Sequence, residues 1–286
     1  MTIKHVIKSI TSPQQRTEIK RWKRHIKAFF KGGKKTTLEE LRDVLVDDLG
    51  IKAGDRIFVT SSFGNLNAGY TPKDVVVLLM SIITKEGTIM MPFYPPGNST
   101  NWAKEGKVFN MNETKSGMGI VTNVFSKMPG VVKSVHPTKA VCVWGKDAEM
   151  LAQNHEKSTT PYYWDSPYGK LLKMGSKSVG LGVGNMPLIH TMEDVLSESY
   201  DYYHQKNKYR LKVITKTGEE KSMYTYVHNP EIIDKCISSL EYVQINRPEI
   251  LHKNTFGLTF VMCVNNDDLY ALCNEEFAKG NTRVKA

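Results

Sequence analysis

One unit constrains the fold of this chain more than any other. A short apolar run, RIFVT (56–60), passes through a polar glycine-containing loop, SSFGNLNAGY, into a helix opened by Thr71-Pro72 and running through Ile83, then into a second run, GTIMMPF (87–93). Threonine at the cap and proline at the first helical position mark the helix start. Strand, loop, helix and strand make a βαβ unit, which predicts an α/β fold with a mixed central sheet flanked by helices. The spacing extends the reading along the chain. A Thr-capped amphipathic helix over 37–49 precedes the unit and ends at Gly50. After it come a long polar loop (94–115), a helix capped by Ser116 and running to about Met128, an extended linker (131–137), a strand (139–144) and helices over 147–154 and from Ser166-Pro167. A buried strand over 179–183 leads into a further helix. A hairpin (210–215 and 221–227) turns at Thr217-Gly218, followed by a helix (230–240), a strand (259–264) and a closing helix (267–277). No internal repeat or low-complexity linker divides residues 36–286, which read as one domain without a clean internal boundary.

Composition narrows the class. The chain has 286 residues, of which 40% are hydrophobic and 24% charged, as in soluble globular proteins. No run of about 18 apolar residues suggests a membrane span, and MTIKHVIKSITSPQQ lacks the apolar core of a secretory signal. Cys142, Cys236, Cys263 and Cys273 have no CxxC spacing, so they read as reduced structural thiols of a cytoplasmic protein without a zinc site. The formal net charge of +10 attracts phosphates. Much of it lies in residues 15–35, where Ile19, Trp22, Ile26, Phe29 and Phe30 recur at helical spacing; residues 1–35 therefore read as a separate basic amphipathic N-terminal helix. Its expected place is against its own protein or a partner subunit, with peripheral membrane contact and a homodimer left open. No zinc finger, RNP or helix-turn-helix pattern supports nucleic-acid binding.

The chemistry gathers in VGLGVGNMPLIHTMEDVLSES (179–199). His190 and Glu193 fall three residues apart at a helix start, which puts imidazole and carboxylate on one face. A carboxylate beside an imidazole fixes its tautomer and raises its basicity, as a general base requires. A core histidine beside a solvated acid is the alternative. Ser61, Ser62, Phe63 and Gly64 follow a strand end, where hydroxyls and free amides could hold an anionic or thioester ligand. In Lys115-Ser116-Gly117-Met118-Gly119 small residues open a helix and form a phosphate cradle or an ordinary cap. Lys133-Ser134-Val135-His136-Pro137 sets a cation, a hydroxyl and a histidine in a proline-fixed loop suited to positioning substrate. Other chemistries lack their motifs. Position 185 is Asn where a dinucleotide fingerprint needs glycine after Gly180 and Gly182. Walker A, HExxH and G-x-S-x-G are absent, so a metal site and a serine hydrolase are not expected.

Taken in order, GIKAGDRIFVTSSFGNL (50–66), EGTIMMPFY (86–94), KSGMGIVTNVFSKMPGVVKSVHP (115–137), DSPYGKLL (165–172) and VGLGVGNMPLIHTMED (179–194) resemble the aminoglycoside 3-N-acetyltransferases and their sugar N-acyltransferase relatives. The resemblance implies an α/β fold distinct from the GNAT fold and transfer of an acyl group, expected to be acetyl, from coenzyme A to an amine on a sugar. It implies His190 and Glu193 as the catalytic pair, with His136 lining the same cleft. Ser61, Ser62, Phe63, Ser116 and Gly117, with Lys133 and Ser134, are the implied coenzyme contacts. An attacking amine must lose a proton, which His190 can accept, and loop amides or hydroxyls near Ser61 and Ser62 could stabilise the oxyanion. No cysteine lies in these motifs, so direct transfer without an acyl-enzyme is expected.

The departures bear on the acceptor. Lys133 stands where the family has arginine before its serine-x-histidine-proline motif, the loop near residue 60 starts Thr60-Ser61 in place of a histidine-serine type, and residues 1–35 have no counterpart in the resistance enzymes. Aminoglycosides are polycations best held by carboxylates, which a charge of +10 does not favour. A nucleotide-linked amino sugar of surface-polysaccharide biosynthesis is therefore the expected acceptor. Aminoglycoside acetylation conferring antibiotic resistance comes second. A non-enzymatic membrane or nucleic-acid binder on a degenerate scaffold is the alternative of another class.

Overall fold

The computed structural model describes residues 12–30, 33–197 and 203–284. In chain order its elements begin with α1 (Pro13–Phe30) and α2 (Leu38–Asp43), then β1 (Arg56–Ser61), α3 (Pro72–Ile83) and β2 (Thr88–Pro92). Next come α4 (Ser99–Lys104), β3 (Phe109–Asn110), α5 (Ile120–Phe125), β4 (Val132–Lys133), β5 (Val141–Gly145), α6 (Ala148–Ala152) and α7 (Pro167–Lys173). The chain continues through β6 (Lys177–Leu181), α8 (Ile189–Leu196), β7 (Tyr209–Ile214), β8 (Glu220–Thr225), α9 (Pro230–Ile233), α10 (Ser239–Asn246), β9 (His252–Phe256), β10 (Thr259–Asn265) and α11 (Asn266–Ala278).

Seven strands form the central sheet in the order β4-β5-β2-β1-β6-β10-β9. β1 runs parallel to β2 and β6, while β5 and β10 pair antiparallel on either side, so the sheet is mixed as expected. Its central strands are buried on both faces, which explains their continuous apolar runs. Ile57, Val59, Ile89 and Met91 face a core made with α2, α3 and α5, whereas Phe58 and Met90 face the opposite core beneath α7, α8 and α11. The capping box of Thr71 and Asp74 fixes the start of α3. A second sheet, β3-β7-β8, stands apart and contains the expected hairpin.

Four local readings change. The loop over 94–115 holds α4, whose N–H groups at Thr100 and Asn101 are capped by the Asn98 side chain, and β3, which pairs with β7. Ser116 does not cap the next helix. Gly119, at φ +104°, turns the chain where L side chains rarely go, and the helix begins at Ile120. The extended linker over 131–137 contributes β4, and the helix read over 230–240 is two short ones, because Ser238 caps a fresh start for α10. The edge strand β9 was hidden by its polar sequence HKNTF. Within residues 15–35 the described helix turns Trp22 and Phe29 outward, with the Arg24 guanidinium lying against Gly64; residues 31–32 and the start of the chain fall outside the described residues. No helix among the described residues is long and apolar enough to cross a membrane.

Candidate active site

The parallel strands give the sheet a polarity. Their N-terminal ends are tied off: Arg56 pairs with Asp147 at 2.7 Å, Thr88 Oγ1 donates to the same carboxylate at 2.8 Å, and Lys177 pairs with Asp55 at 2.7 Å. The C-terminal ends open onto a cleft of about 770 Å³, reached by Ser61 from β1, Pro92 from β2 and Val183 beyond β6. Ligands of open α/β sheets bind at such carboxyl ends. Gly182 packs against the loop that follows β1 there. At φ +72° it lets the chain turn under the loop after β1, and its carbonyl accepts from Asn65 Nδ2 at 2.8 Å.

α8 enters this cleft with His190 in its first turn. His190 Nδ1 lies 2.7 Å from Glu193 Oε2, the i,i+3 contact that the spacing implies. Glu193 is 1% exposed, and its other oxygen accepts from Arg283 Nε at 2.7 Å. Burial pushes the Glu193 carboxyl up, but Arg283 and His190 more than offset this and hold it below the ordinary carboxylate range. Burial likewise lowers His190, with Glu193 partly restoring its basicity. An ionised Glu193 requires the proton on Nδ1, which leaves Nε2 unprotonated and able to accept a proton. His190 lines the cleft, and no described residue hydrogen-bonds Nε2.

A wall of aromatic rings stands beside this pair. Tyr162 lies 5.1 Å from His190 and stacks on His228 at 5.3 Å, and His228 in turn lies 4.5 Å from His190. Behind them His204 Nε2 meets Asp194 Oδ1 at 2.8 Å, and Asp194 also accepts from Thr160 Oγ1. Lys139 closes the wall, its ammonium 4.5 Å from the Tyr94 ring centroid. Burial pushes that ammonium down to about 8.

The structure brings together some of the sequence-predicted residues. Ser61, Ser62, Phe63, Gly117 and His190 line the cleft, and Glu193 sits directly behind His190. The Ser62 amide is spent on Leu181 O at 2.8 Å, whereas no described residue engages the Ser61 or Ser62 hydroxyl. Ser116 is buried and does not line the cleft; its hydroxyl accepts from the Met118 amide at 3.0 Å. Ser134 is fully buried, bonded to His155 Nδ1 and the Val141 amide, each at 2.9 Å. Lys133 reaches Met111 O at 2.9 Å and borders a separate cavity of about 530 Å³.

His136 is 2% exposed and does not line the cleft. Its Nδ1 accepts the Thr138 and Lys139 amides at 3.2 and 2.9 Å, and its Nε2 lies 3.0 Å from Thr225 Oγ1. With both nitrogens occupied it braces the turn that aims Lys139. Sequence reasoning missed Tyr94, Lys139, Tyr162, His228 and Arg283, which come from five distant segments. A signal existed only for Lys139, a lone cation at the mouth of the apolar run AVCVW. Among the described residues no group of three or more His, Cys, Asp or Glu is arranged to hold a metal ion.

Comparison with known proteins finds relatives in sequence and in fold. The chain is 29% identical over 143 residues to an SPbeta prophage-derived aminoglycoside N(3')-acetyltransferase-like protein, YokD, of Bacillus subtilis, covering 42% of the chain and 52% of that protein. It is 24% identical over 179 residues to aminoglycoside N(3)-acetyltransferase IX of Micromonospora chalcea, covering 55% and 63%. These matches span between half and two thirds of the relatives' length. A solved structure titled as AAC-IIIb binary with CoASH has the same fold, with a TM-score of 0.70 at 16% identity over 88% of this chain and 100% of that one. The family model described as aminoglycoside 3-N-acetyltransferase matches residues 58–278. The match covers well over half of the sequence, and the chain belongs to the aminoglycoside 3-N-acetyltransferase family.

Proposed function

We propose that the chain is an N-acetyltransferase that uses acetyl-coenzyme A to acetylate an amine of an aminoglycoside or a related amino sugar. One observation carries the reading: an imidazole lining the cleft, held through Nδ1 by a buried carboxylate that is itself fixed by Arg283. Family membership supports coenzyme A as the co-substrate, as does the CoASH-bound structure of similar fold. The cleft of about 770 Å³ suits a long phosphorylated ligand, with Lys20 and Arg24 at one edge and the Ser61 and Ser62 hydroxyls at the strand ends.

Acetyl-coenzyme A supplies an activated thioester carbonyl. His190 Nε2 takes the proton of the acceptor ammonium, freeing the lone pair that forms the C–N bond. As the C–S bond breaks, the imidazolium returns that proton to the departing sulfur, and the second proton of the former ammonium leaves the new amide nitrogen to solvent. Glu193 stabilises the transient imidazolium and keeps the ring in one tautomer, the orienting part that a buried carboxylate plays beside a catalytic histidine. The hydroxyls of Ser61 and Ser62, which line the same cleft, donate to the developing negative oxygen. Transfer is direct.

Aminoglycosides are the acceptor class that the names of the relatives support. The nucleotide-linked sugar of surface-polysaccharide assembly, expected from net charge, has no relative behind it and is the second acceptor class to test. Thiol release from acetyl-coenzyme A with aminoglycosides and nucleotide-linked amino sugars tests both, with His190→Ala as control. Release with one class, cut at least about 10²-fold by the substitution, is the expected result. No release with any acceptor would support a binding protein on a degenerate scaffold.

A further inference from the structure

The charge of the cleft is one-sided. Its described lining includes Lys20, Arg24, Lys139 and Arg283 but no aspartate or glutamate. Arg283 is neutralised by Glu193. Among the described residues Lys139 has no such partner. It is 8% exposed, no described carboxylate pairs with it, and its ammonium lies only over the rings of Tyr94 and Tyr162, at 4.5 and 5.8 Å. An aromatic face attracts a cation but brings no counter-charge, and a buried ammonium without one is held at a desolvation cost.

Architecture does not require the charge. The backbone of Lys139 does the structural work, donating to His136 Nδ1 and accepting from Tyr168 Oη at 2.9 Å in each case, while no described residue hydrogen-bonds the side-chain nitrogen. The surrounding fold aims a cation into the cleft and leaves it for something that enters. It stands near the reacting centre, since the Tyr162 ring lies 5.8 Å from the Lys139 ammonium and 5.1 Å from the His190 ring. The phosphates of coenzyme A lie the whole pantetheine arm away from the thioester, so a cation this close to the base faces the acceptor.

We propose that Lys139 is a specificity-determining residue that pairs with a carboxylate or phosphate of the acceptor near the amine served by His190, and so disfavours polycationic acceptors. The proposal rests on the acetyl-transfer reading and refines its substrate class to amino sugars with an anionic group close to the acetylated amine. A cleft whose described lining holds no carboxylate offers a polycation nothing to pair with there, whereas an acceptor that brings its own anion neutralises Lys139 on binding.

The test compares wild type, Lys139→Gln, Lys139→Arg and Lys139→Glu with two acceptors, kanamycin and a uridine-diphosphate-linked amino sugar. Thiol release and calorimetric binding in the presence of coenzyme A are both measured. Wild type should prefer the anionic acceptor at least tenfold in kcat/KM. Lys139→Gln, which keeps most of the buried stem, should lose that preference through a higher KM for the anionic acceptor, with KM for acetyl-coenzyme A unchanged. Lys139→Arg should restore the preference, and Lys139→Glu should turn it toward kanamycin. An acceptor ratio that stays constant from lysine to glutamine overturns the proposal. So does a rise confined to the acetyl-coenzyme A KM, which would assign the cation to the coenzyme. If wild type releases thiol with neither acceptor, the acetyl-transfer reading falls. Calorimetry still decides the role of Lys139 in that case: tight binding of the diphosphate-linked sugar that is lost in Lys139→Gln supports the pairing, and equal binding overturns it.

Discussion

The ionisation of His190 is set by its neighbours: burial lowers it, Glu193 raises it, Arg283 and Lys139 lower it again, and the net position is below the ordinary 6.5. The neutral imidazole is the working form of a base, so activity is lost as pH falls through the His190 pKa and is already at its plateau near pH 7. The acid limb of kcat/KM should therefore have its midpoint below 6.5. Glu193→Gln removes the described partner that raises His190, so this midpoint should move lower still while kcat falls by about 10²-fold. A pH–rate profile of both proteins checks the two effects together; an unmoved midpoint would separate Glu193 from the base. Arg283 acts through Glu193. Arg283→Met leaves a buried carboxylate without its counter-charge, and breaking such a pair costs about 3–5 kcal/mol, measurable by urea denaturation.

Turns between elements place these groups, and Gly182 is the clearest case. A Cβ there would stand 2.9 Å from both Asn65 Cβ and Ser62 O, and φ is +72°. Gly182→Ala should cost more than about 1 kcal/mol and displace the Ser61–Asn65 loop, seen as a lower Tm together with a higher KM. The sequence made much of this architecture legible, because its signals are local. Thr71-Pro72, the double-faced apolar runs of β1 and β2, and Thr217-Gly218 each announce themselves within a few residues. His190 and Glu193 were legible for the same reason, lying one helical turn apart. Arg283 and His228 were not, since they reach His190 only through the closing segments and the second sheet. The SxHP motif misled in a different way: it marks a buried brace, and the cleft residue is Lys139, three positions after its histidine.

The molecule as a whole carries several neutral histidines in its interior. Burial lowers His155 to about 3 and holds His136 and His228 well below 6.5. In the unfolded chain they titrate near 6.5, so below that pH the unfolded state binds more protons and stability falls. Each unit of depression is worth about 1.4 kcal/mol. Urea midpoints should therefore drop steadily from pH 6.5 toward pH 4, and His155→Asn should flatten the slope. The strand order has a consequence in time. β6 lies beside β1 only after the chain between them has folded back, and Thr60 bonds Asn185 across 125 positions of sequence. Such long-range closure is slow relative to helix formation. On dilution from urea, ellipticity should return first and coenzyme thiol release later, with a lag equal to the time the two halves of the cleft take to meet.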